Sequence, residues 1–172
     1  MSDNNNFEGL RGLFEGGNFP NAQINVVPGD GVHISYESQK DKAQEEKSEG
    51  LRQSVMDYVG RLMPVVTTGF REQYAKMWQD ILEQDAVSRV VYEKGSQKGT
   101  QFNRNLVAQI SHMMAVGGVI VKETTDVRMA ELLEPEKGKN HSVRGALAIS
   151  PDDKQIKKAV NEVLERYGVK VI

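Results

Sequence analysis

The chain has 172 residues, with 22 Lys and Arg against 24 Asp and Glu, and it contains no Cys. This length suffices for one domain, or one domain plus a tail, and the balanced charge excludes a dominant, sequence-independent attraction to nucleic acid. Without Cys there is no disulfide framework, no thiolate metal site and no cysteine nucleophile.

The sequence contains neither a secretory signal nor a membrane-spanning segment that we can recognise. The first ten residues, MSDNNNFEGL, lack the basic and apolar regions of a secretory signal. The longest apolar stretch, residues 115–121, is interrupted by glycines and is too short to span a bilayer. We therefore expect a soluble, cytoplasmic protein without a membrane partner.

Residues 1–37 are predicted to form an N-terminal arm with a β-hairpin. Apolar residues alternate with polar ones around Ile24 and Val26 and again around Val32 and Ile34, and the turn-forming sequence PGDG lies between the two runs. Two strands alone are marginal in water, so the arm docks on the rest of the chain, pairs with another copy or stays largely disordered. The functional hypothesis is self-association or recruitment of another protein; the alternative is a docked or frayed arm.

Residues 38–50 (SQKDKAQEEKSEG) are predicted to be a polar linker, or else the exposed start of a helix, because Ala is their only apolar residue. Residues 1–50 carry nine acids and four bases, whereas residues 51–172 carry 15 acids and 18 bases, so the two parts have charges of −5 and +3. The basic surplus of the second part keeps nucleic-acid binding open as an alternative.

From residue 51 onward the apolar residues recur at helical spacing, which predicts a mainly α, multi-helical domain over residues 51–172. A first helix ends near Met63 because Pro64 follows it, and a second begins with Thr68 as N-cap. The second helix has the heaviest aromatic stripe, which we assign to the core: Phe70, Tyr74, Met77, Trp78, Ile81 and Leu82. Residues 87–92 fit either a helix or a strand.

The remaining helix boundaries are predicted from capping residues and glycines. Thr100 is expected to cap the third helix, and Gly117-Gly118 to stop it before the short apolar run of residues 119–121. Thr124 or Thr125 is expected to cap the next helix, which Pro135 ends, and residues 134–140 read as a polar loop. Ser142 then caps a short helix, and Ser150, with Pro151 in the first helical position, caps the last one.

Six polar residues are the candidate contacts for a partner or for nucleic acid. Asn105, Gln109 and His112 follow one flank of the third helix, where Asn and Gln could hydrogen-bond adenine edges. Three arginines could join them as phosphate contacts: Arg104, Arg128 and Arg144. The alternatives are a solvated flank of the helix and arginines scattered over the surface.

No catalytic or cofactor motif is found. His33, His112 and His141 have no zinc-ligand spacing, and capping accounts for the adjacent Asp152 and Asp153. The sequence EKGSQKGT at residues 93–100 contains glycines and lysines before a helix but lacks the GK[ST] order of a phosphate-binding loop. We expect no catalytic residue, metal or cofactor; enzymatic activity stays open, with a non-enzyme favoured.

Two sequence runs resemble a known group of proteins. Residues 99–114 (GTQFNRNLVAQISHMM) and 141–156 (HSVRGALAISPDDKQI), with the Trp-containing helix ahead of them, are similar to a group of uncharacterised proteins predicted from genomes of gut anaerobic bacteria. The resemblance covers about the last hundred residues and implies a bacterial source but no activity. Members of that group occur frequently near mobile-element genes, so the resemblance slightly favours a role with DNA.

The sequence therefore predicts a noncatalytic protein-interaction or assembly module. The alternative is a DNA-binding accessory protein, associated with a mobile genetic element.

Overall fold

The computed structural model describes residues 23–26, 32–35, 39–93, 101–137 and 142–171, with side chains from residue 46 onward. The contacts between residues divide the chain into two compact units, Met1–Glu45 and Glu46–Ile172.

In the first unit, strands β1 (Gln23–Val26) and β2 (Val32–Ser35) pair in antiparallel register, with Ile24 opposite Ile34 and Val26 opposite Val32. The residues between the strands, 27–31, lie outside the described part of the chain. The hairpin arm and the roles assigned to it therefore stay predictions.

Helix α1 runs from Gln39 to Gly60. It includes residues 39–50, for which the sequence left a polar linker and the start of a helix as alternatives. Side chains 46–50 are all exposed, which fits their polar composition. The apolar face of α1 develops only after residue 50, where Val55, Tyr58 and Val59 are buried.

The second unit is mainly helical, as predicted. Beyond α1 its described residues form five helices: α2 (Arg71–Leu82), α3 (Asp85–Val91), α4 (Arg104–Val116), α5 (Asp126–Leu133) and α6 (Lys154–Arg166). Short 3₁₀ turns lie between them: Met63–Val65, Thr68–Phe70, Pro135–Lys137 and Ala146–Ala148. None of the helices in the described ranges is both long enough and apolar enough to cross a bilayer.

The core forms where α2, α3, α4 and α6 pack together, and α4 also packs against the 146–148 turn. Five of the six residues of the predicted stripe are buried: Tyr74, Met77, Trp78, Ile81 and Leu82. The sixth, Phe70, precedes α2 and is half-buried. Four apolar residues of α6 face the same core: Ile156, Val160, Val163 and Leu164. The sequence allowed either a helix or a strand for residues 87–92. In the structure, residues 87–91 belong to helix α3.

Residues 119–121 form neither a strand nor a helix but one isolated bridge, in which Ile120 pairs with Val66. The Thr67 amide donates to the Val119 carbonyl, and the Val121 amide donates to the Val65 carbonyl, both at 2.9 Å. Gly118, with φ of 83°, takes the left-handed conformation that ends α4 and allows this turn, as predicted.

One predicted helix cap is confirmed: the Thr125 hydroxyl accepts a hydrogen bond from the Arg128 amide at the start of α5. Several other predicted helix starts are wrong. Asp153, not Ser150, caps α6: its carboxylate accepts from the amides of Gln155 and Ile156 at 2.7 and 3.3 Å. Asp and Ser are equally good caps, so composition alone could not choose between positions 150 and 153.

The caps of α4 and of the 142 region also differ from the predictions. Asn103 caps α4 by accepting from the Leu106 amide at 3.1 Å, and Thr100 lies outside the described residues. Ser142 caps no helix, because residues 142–145 form a turn and its hydroxyl bonds to Glu134 instead. Thr68 begins a 3₁₀ turn rather than α2, and Phe70 occupies the N-cap of α2 without a side-chain bond.

Candidate functional site

The six predicted contact residues lie on three elements. Arg104, Asn105, Gln109 and His112 are on α4, Arg128 is on α5 and Arg144 is in the 142–145 turn. Asn105, Arg128 and Arg144 are exposed, whereas Arg104, Gln109 and His112 are half-buried. Among the residues that the structure describes, no hydrogen bond or ion pair joins any two of the six.

Two of the three predicted phosphate-contacting arginines are held by carboxylates. Arg128 pairs with Glu131 one turn along α5 at 3.2 Å, in an exposed ion pair. Arg104 pairs with Glu134 at 3.3 Å, and this carboxylate is fully buried. Contact with a DNA phosphate would have to compete with both carboxylates.

Glu134 is the buried centre of a polar cluster, which we call the Glu134 cluster: Glu134, Arg104, Lys137 and Ser142. Arg104 and Lys137 are half-buried and Ser142 is exposed. The carboxylate accepts from Arg104 Nη1 at 3.3 Å, from Lys137 Nζ at 3.2 Å and from the Ser142 amide at 3.0 Å. The Ser142 hydroxyl lies 3.0 and 3.1 Å from the two carboxylate oxygens and also accepts from Lys137 Nζ at 3.0 Å. A buried carboxylate with this many donors is well satisfied.

The donors around Glu134 outweigh the effect of its burial on its pKa. Burial by itself raises the pKa, but hydrogen bonds from Lys137 and Ser142 and the positive charge of Lys137 hold it below its ordinary value. Glu134 is therefore ionised at neutral pH. The cluster ties the end of α5 to residue 142 and to the start of α4.

An aromatic group adjoins the Glu134 cluster. The guanidinium carbons of Arg104 and Arg61 lie 5.5 and 5.7 Å from the centre of the Tyr58 ring, within the range of cation–π interactions. Phe102 meets the same ring edge-on, with 5.4 Å between centres and 70° between planes. Arg61 also donates to the Leu133 carbonyl at 2.6 Å, so it is fixed to the end of α5.

Neither Glu134 nor Arg61 is among the site residues predicted from the sequence. Glu134 was placed in a polar loop, and its role depends on Arg104, which lies 30 positions earlier in the chain. Arg61 directly follows α1 and belongs to no local motif.

A second region of interest is a shallow groove between the end of α4 and α6, which we call the α4–α6 groove. It has a volume of about 70 Å³, and its lining includes Val116, Gly117, Lys157, Asn161 and Lys170. Val116 is 49% exposed. The lining contributed by the described residues contains two ammonium groups and no carboxylate, and neither lysine has an ion-pair partner in that part of the chain.

Two further features shape this groove. A Cβ on Gly117 would collide with Cγ1 of the buried Val169, so glycine at this position lets the segment after α6 pack against the end of α4. Ile149, which is 50% exposed, directly precedes Ser150, another lining residue. The exposed side chain of Val116 thus lies beside two lysines for which the described residues supply no ion-pair partner.

Comparisons with protein family models, with curated proteins and with solved structures gave no match. The resemblance to proteins of gut anaerobic bacteria therefore stays a prediction. Within residues 46–93, 101–137 and 142–171, no group of three or more His, Asp or Glu side chains is arranged to hold a metal ion.

Proposed function

We propose that this protein is a noncatalytic protein-interaction module that binds an acidic segment of a partner protein in the α4–α6 groove. The observation that carries the proposal is the combination of exposed Val116 with Lys157 and Lys170, which have no acidic partner among the described residues. A partner segment that carries carboxylates around an apolar side chain complements this surface in both charge and polarity.

The expected affinity is modest and sensitive to salt. Covering the exposed half of the Val116 side chain contributes about 1 kcal/mol, and each exposed lysine–carboxylate pair contributes roughly 0.2 to 1 kcal/mol. Ile149 adds apolar area if the bound segment extends past Ser150. Contributions of this size to the binding free energy are typical of a transient interaction. Because the charges involved are exposed, salt screens them and weakens their attraction for the partner.

The DNA-binding alternative, an accessory protein of a mobile genetic element, is less favoured by the same contacts. Arg104 and Arg128, which it requires as phosphate contacts, are held by Glu134 and Glu131. The other predicted partner is a second copy of this chain, bound through residues 1–37, and removal of residues 1–50 would then abolish concentration-dependent association.

A fluorescein-labelled peptide, Glu-Glu-Leu-Glu-Glu-Leu-Glu, tests the groove by fluorescence anisotropy. We expect saturable binding to the wild-type protein and at least fivefold weaker binding to the K157E/K170E variant. The variant K154E/K158E is the matched control, because it reverses two exposed lysines of α6 that do not line the groove. Equal loss in both variants, or no binding to the wild type, would reject the proposed site.

A fluorescein-labelled 20-base-pair duplex in the same assay tests the alternative. If the groove binds protein, the duplex should bind weakly at 50 mM salt and not measurably at 200 mM. Tight duplex binding with a steep salt dependence that is lost in R104A/R144A would favour the DNA-binding role instead.

A further inference from the structure

The segment that follows α6 brings Lys170 to the α4–α6 groove. Gly168 is exposed and has a φ of 75°, a left-handed conformation that glycine adopts without strain. Its amide donates to the Glu165 carbonyl at 2.9 Å, and the Val169 amide donates to the Leu164 carbonyl at 3.1 Å. These two hydrogen bonds form a Schellman motif, which ends α6 and sets the direction in which the chain leaves the helix.

The end of α4 receives this segment. A Cβ on Gly117 would collide with Val169 Cγ1 and would also lie 3.3 Å from the carbonyl oxygen of Lys170. Because Gly117 has no side chain, the backbone of Lys170 lies directly against the end of α4. Val169 is only 3% exposed, so it anchors the segment in the core.

The two lysines of the groove are held in place by different means. Lys157 belongs to α6, whose buried face fixes the position of the whole helix. Lys170 lies beyond that helix and is exposed, and none of the described residues forms an ion pair or a side-chain hydrogen bond with it. The position of its charge therefore depends on the backbone turn at Gly168 and on the contact with Gly117.

We infer that Gly168 and Gly117 are positioning residues of the α4–α6 groove, and that they act on an acidic partner through Lys170. Gly168 directs the chain out of α6, and Gly117 leaves the space that Val169 needs. The Lys170 ammonium group is thereby held on the same surface as Lys157, where carboxylates of the partner reach both. This inference rests on the proposed function, because it concerns how the groove binds its acidic segment.

Substitutions at Gly168 change the turn without creating a steric clash. Chain neighbours aside, no atom of the described residues lies within 4 Å of a Cβ placed on Gly168. Gly168→Val therefore strains only the left-handed backbone, which β-branched residues disfavour. Asparagine tolerates this conformation, so Gly168→Asn should preserve the turn. Gly60→Val is the control, because Gly60 is exposed, has open space around its Cβ and is not left-handed.

The binding test uses the full-length protein and the labelled Glu-Glu-Leu-Glu-Glu-Leu-Glu peptide. We expect Gly168→Val to bind it about threefold more weakly, as for the loss of one exposed ion pair. Gly168→Asn and Gly60→Val should bind like the wild type. Unchanged binding by Gly168→Val, or an equal loss in Gly168→Asn, would overturn the inference alone. Absence of binding to the wild type would reject the proposed function, and the inference with it.

A comparison of double variants separates positioning from a general weakening of the fold. If Gly168 acts through Lys170, Lys170→Gln should weaken binding about threefold by itself but have no further effect in the Gly168→Val background. Lys157→Gln should weaken binding by the same factor in both backgrounds, because α6 itself positions Lys157. An equal effect of Lys170→Gln in both backgrounds would overturn the inference, since Lys170 would then keep its place without Gly168.

Gly117→Ala tests the second positioning residue in the same way. We expect about threefold weaker peptide binding, with no further loss when Lys170→Gln is added. Unchanged affinity in Gly117→Ala would show that the contact with Val169 does not position Lys170, and would overturn the role given to Gly117.

The contact between the two segments can also be measured without a peptide. In the NMR spectra of the wild type and of Gly168→Asn, we expect a nuclear Overhauser effect between the Val169 methyl protons and the Gly117 Hα protons. The signal should disappear in Gly168→Val. Its persistence in that variant would overturn the inference, because the segment after α6 would then reach the end of α4 without a glycine at position 168.

Discussion

The Glu134 cluster and the α4–α6 groove use charged residues in opposite ways. In the cluster, a fully buried carboxylate collects hydrogen bonds from Arg104, Lys137 and Ser142, so these charges stabilise the fold. In the groove, Lys157 and Lys170 lie beside exposed Val116 and have no carboxylate within the described residues. Charges that are already paired inside the protein contribute to stability, and unpaired ones remain available to a partner.

This contrast changes the meaning of a basic residue in the sequence. Two of the three arginines predicted as phosphate contacts form ion pairs within the protein: Arg104 with Glu134, and Arg128 with Glu131. The groove lysines, Lys157 and Lys170, are not predicted as contacts because nothing in their local sequence separates them from solubilising charges. Only the folded arrangement distinguishes the two classes.

Removal of the central carboxylate should give the largest effect. Glu134→Ala leaves Arg104 and Lys137 without their buried partner, and we expect the free energy of unfolding to fall by about 3 kcal/mol. Glu131→Ala, which breaks the exposed pair with Arg128, should change it by less than about 0.5 kcal/mol. Urea denaturation measures the free energy of unfolding of both variants. Equal decreases in the two variants would contradict the claim that the buried pair contributes more to stability than the exposed one.

The close packing beside the groove should give an intermediate effect. Gly117→Ala places a Cβ against Val169 Cγ1, and we expect a loss of about 1 to 2 kcal/mol in the free energy of unfolding. In a Val169→Ala background the same change should cost less than about 0.5 kcal/mol, because the colliding methyl is gone. Gly50→Ala, within α1 and with open space around its Cβ, is the control and should stabilise the protein slightly.

If Gly117→Ala costs as much with Val169→Ala as without it, the strain lies elsewhere in the end of α4. The contact between Gly117 and Val169 would then not be what closes one side of the α4–α6 groove.

The dependence of stability on pH should give the smallest effect. The folded pKa of Glu134 lies below its ordinary value of 4.5, so the unfolded chain binds the proton more readily. The stabilisation from Glu134 is therefore complete above pH 4.5 and is lost as the pH falls through the lowered folded pKa.

Urea unfolding between pH 6 and pH 3 checks this against Glu134→Gln, which cannot titrate. The stability difference between wild type and variant should shrink as the pH falls. A constant difference over this range would show that ionisation of Glu134 contributes nothing to stability.

Much of the helical architecture could be predicted because it depends on local spacing. The stripe that includes Tyr74, Met77 and Trp78 repeats at helical period and is buried, and Gly118 ends α4 through its own backbone conformation. Helix starts were less predictable, since Ser150 and Asp153 are both good caps and only packing selects one.

The sites could not be predicted to the same extent because they join distant residues. Arg104 and Glu134 are 30 positions apart, and the groove takes Val116 from one helix and Lys157 from another. A pattern within a single helix carries no information about such pairs. The sequence predicts Arg104 as a surface contact, whereas the structure pairs its guanidinium with the buried carboxylate of Glu134.

The most direct test of the central claim is a charge exchange across the α4–α6 groove. The K157E/K170E variant is titrated by fluorescence anisotropy with a labelled Lys-Lys-Leu-Lys-Lys-Leu-Lys peptide, in which lysines replace the glutamates of the original probe. If unpaired charges at this groove select the partner, the variant should bind the basic peptide at least fivefold more tightly than the wild-type protein does. Equal binding of the basic peptide to both proteins would contradict the claim.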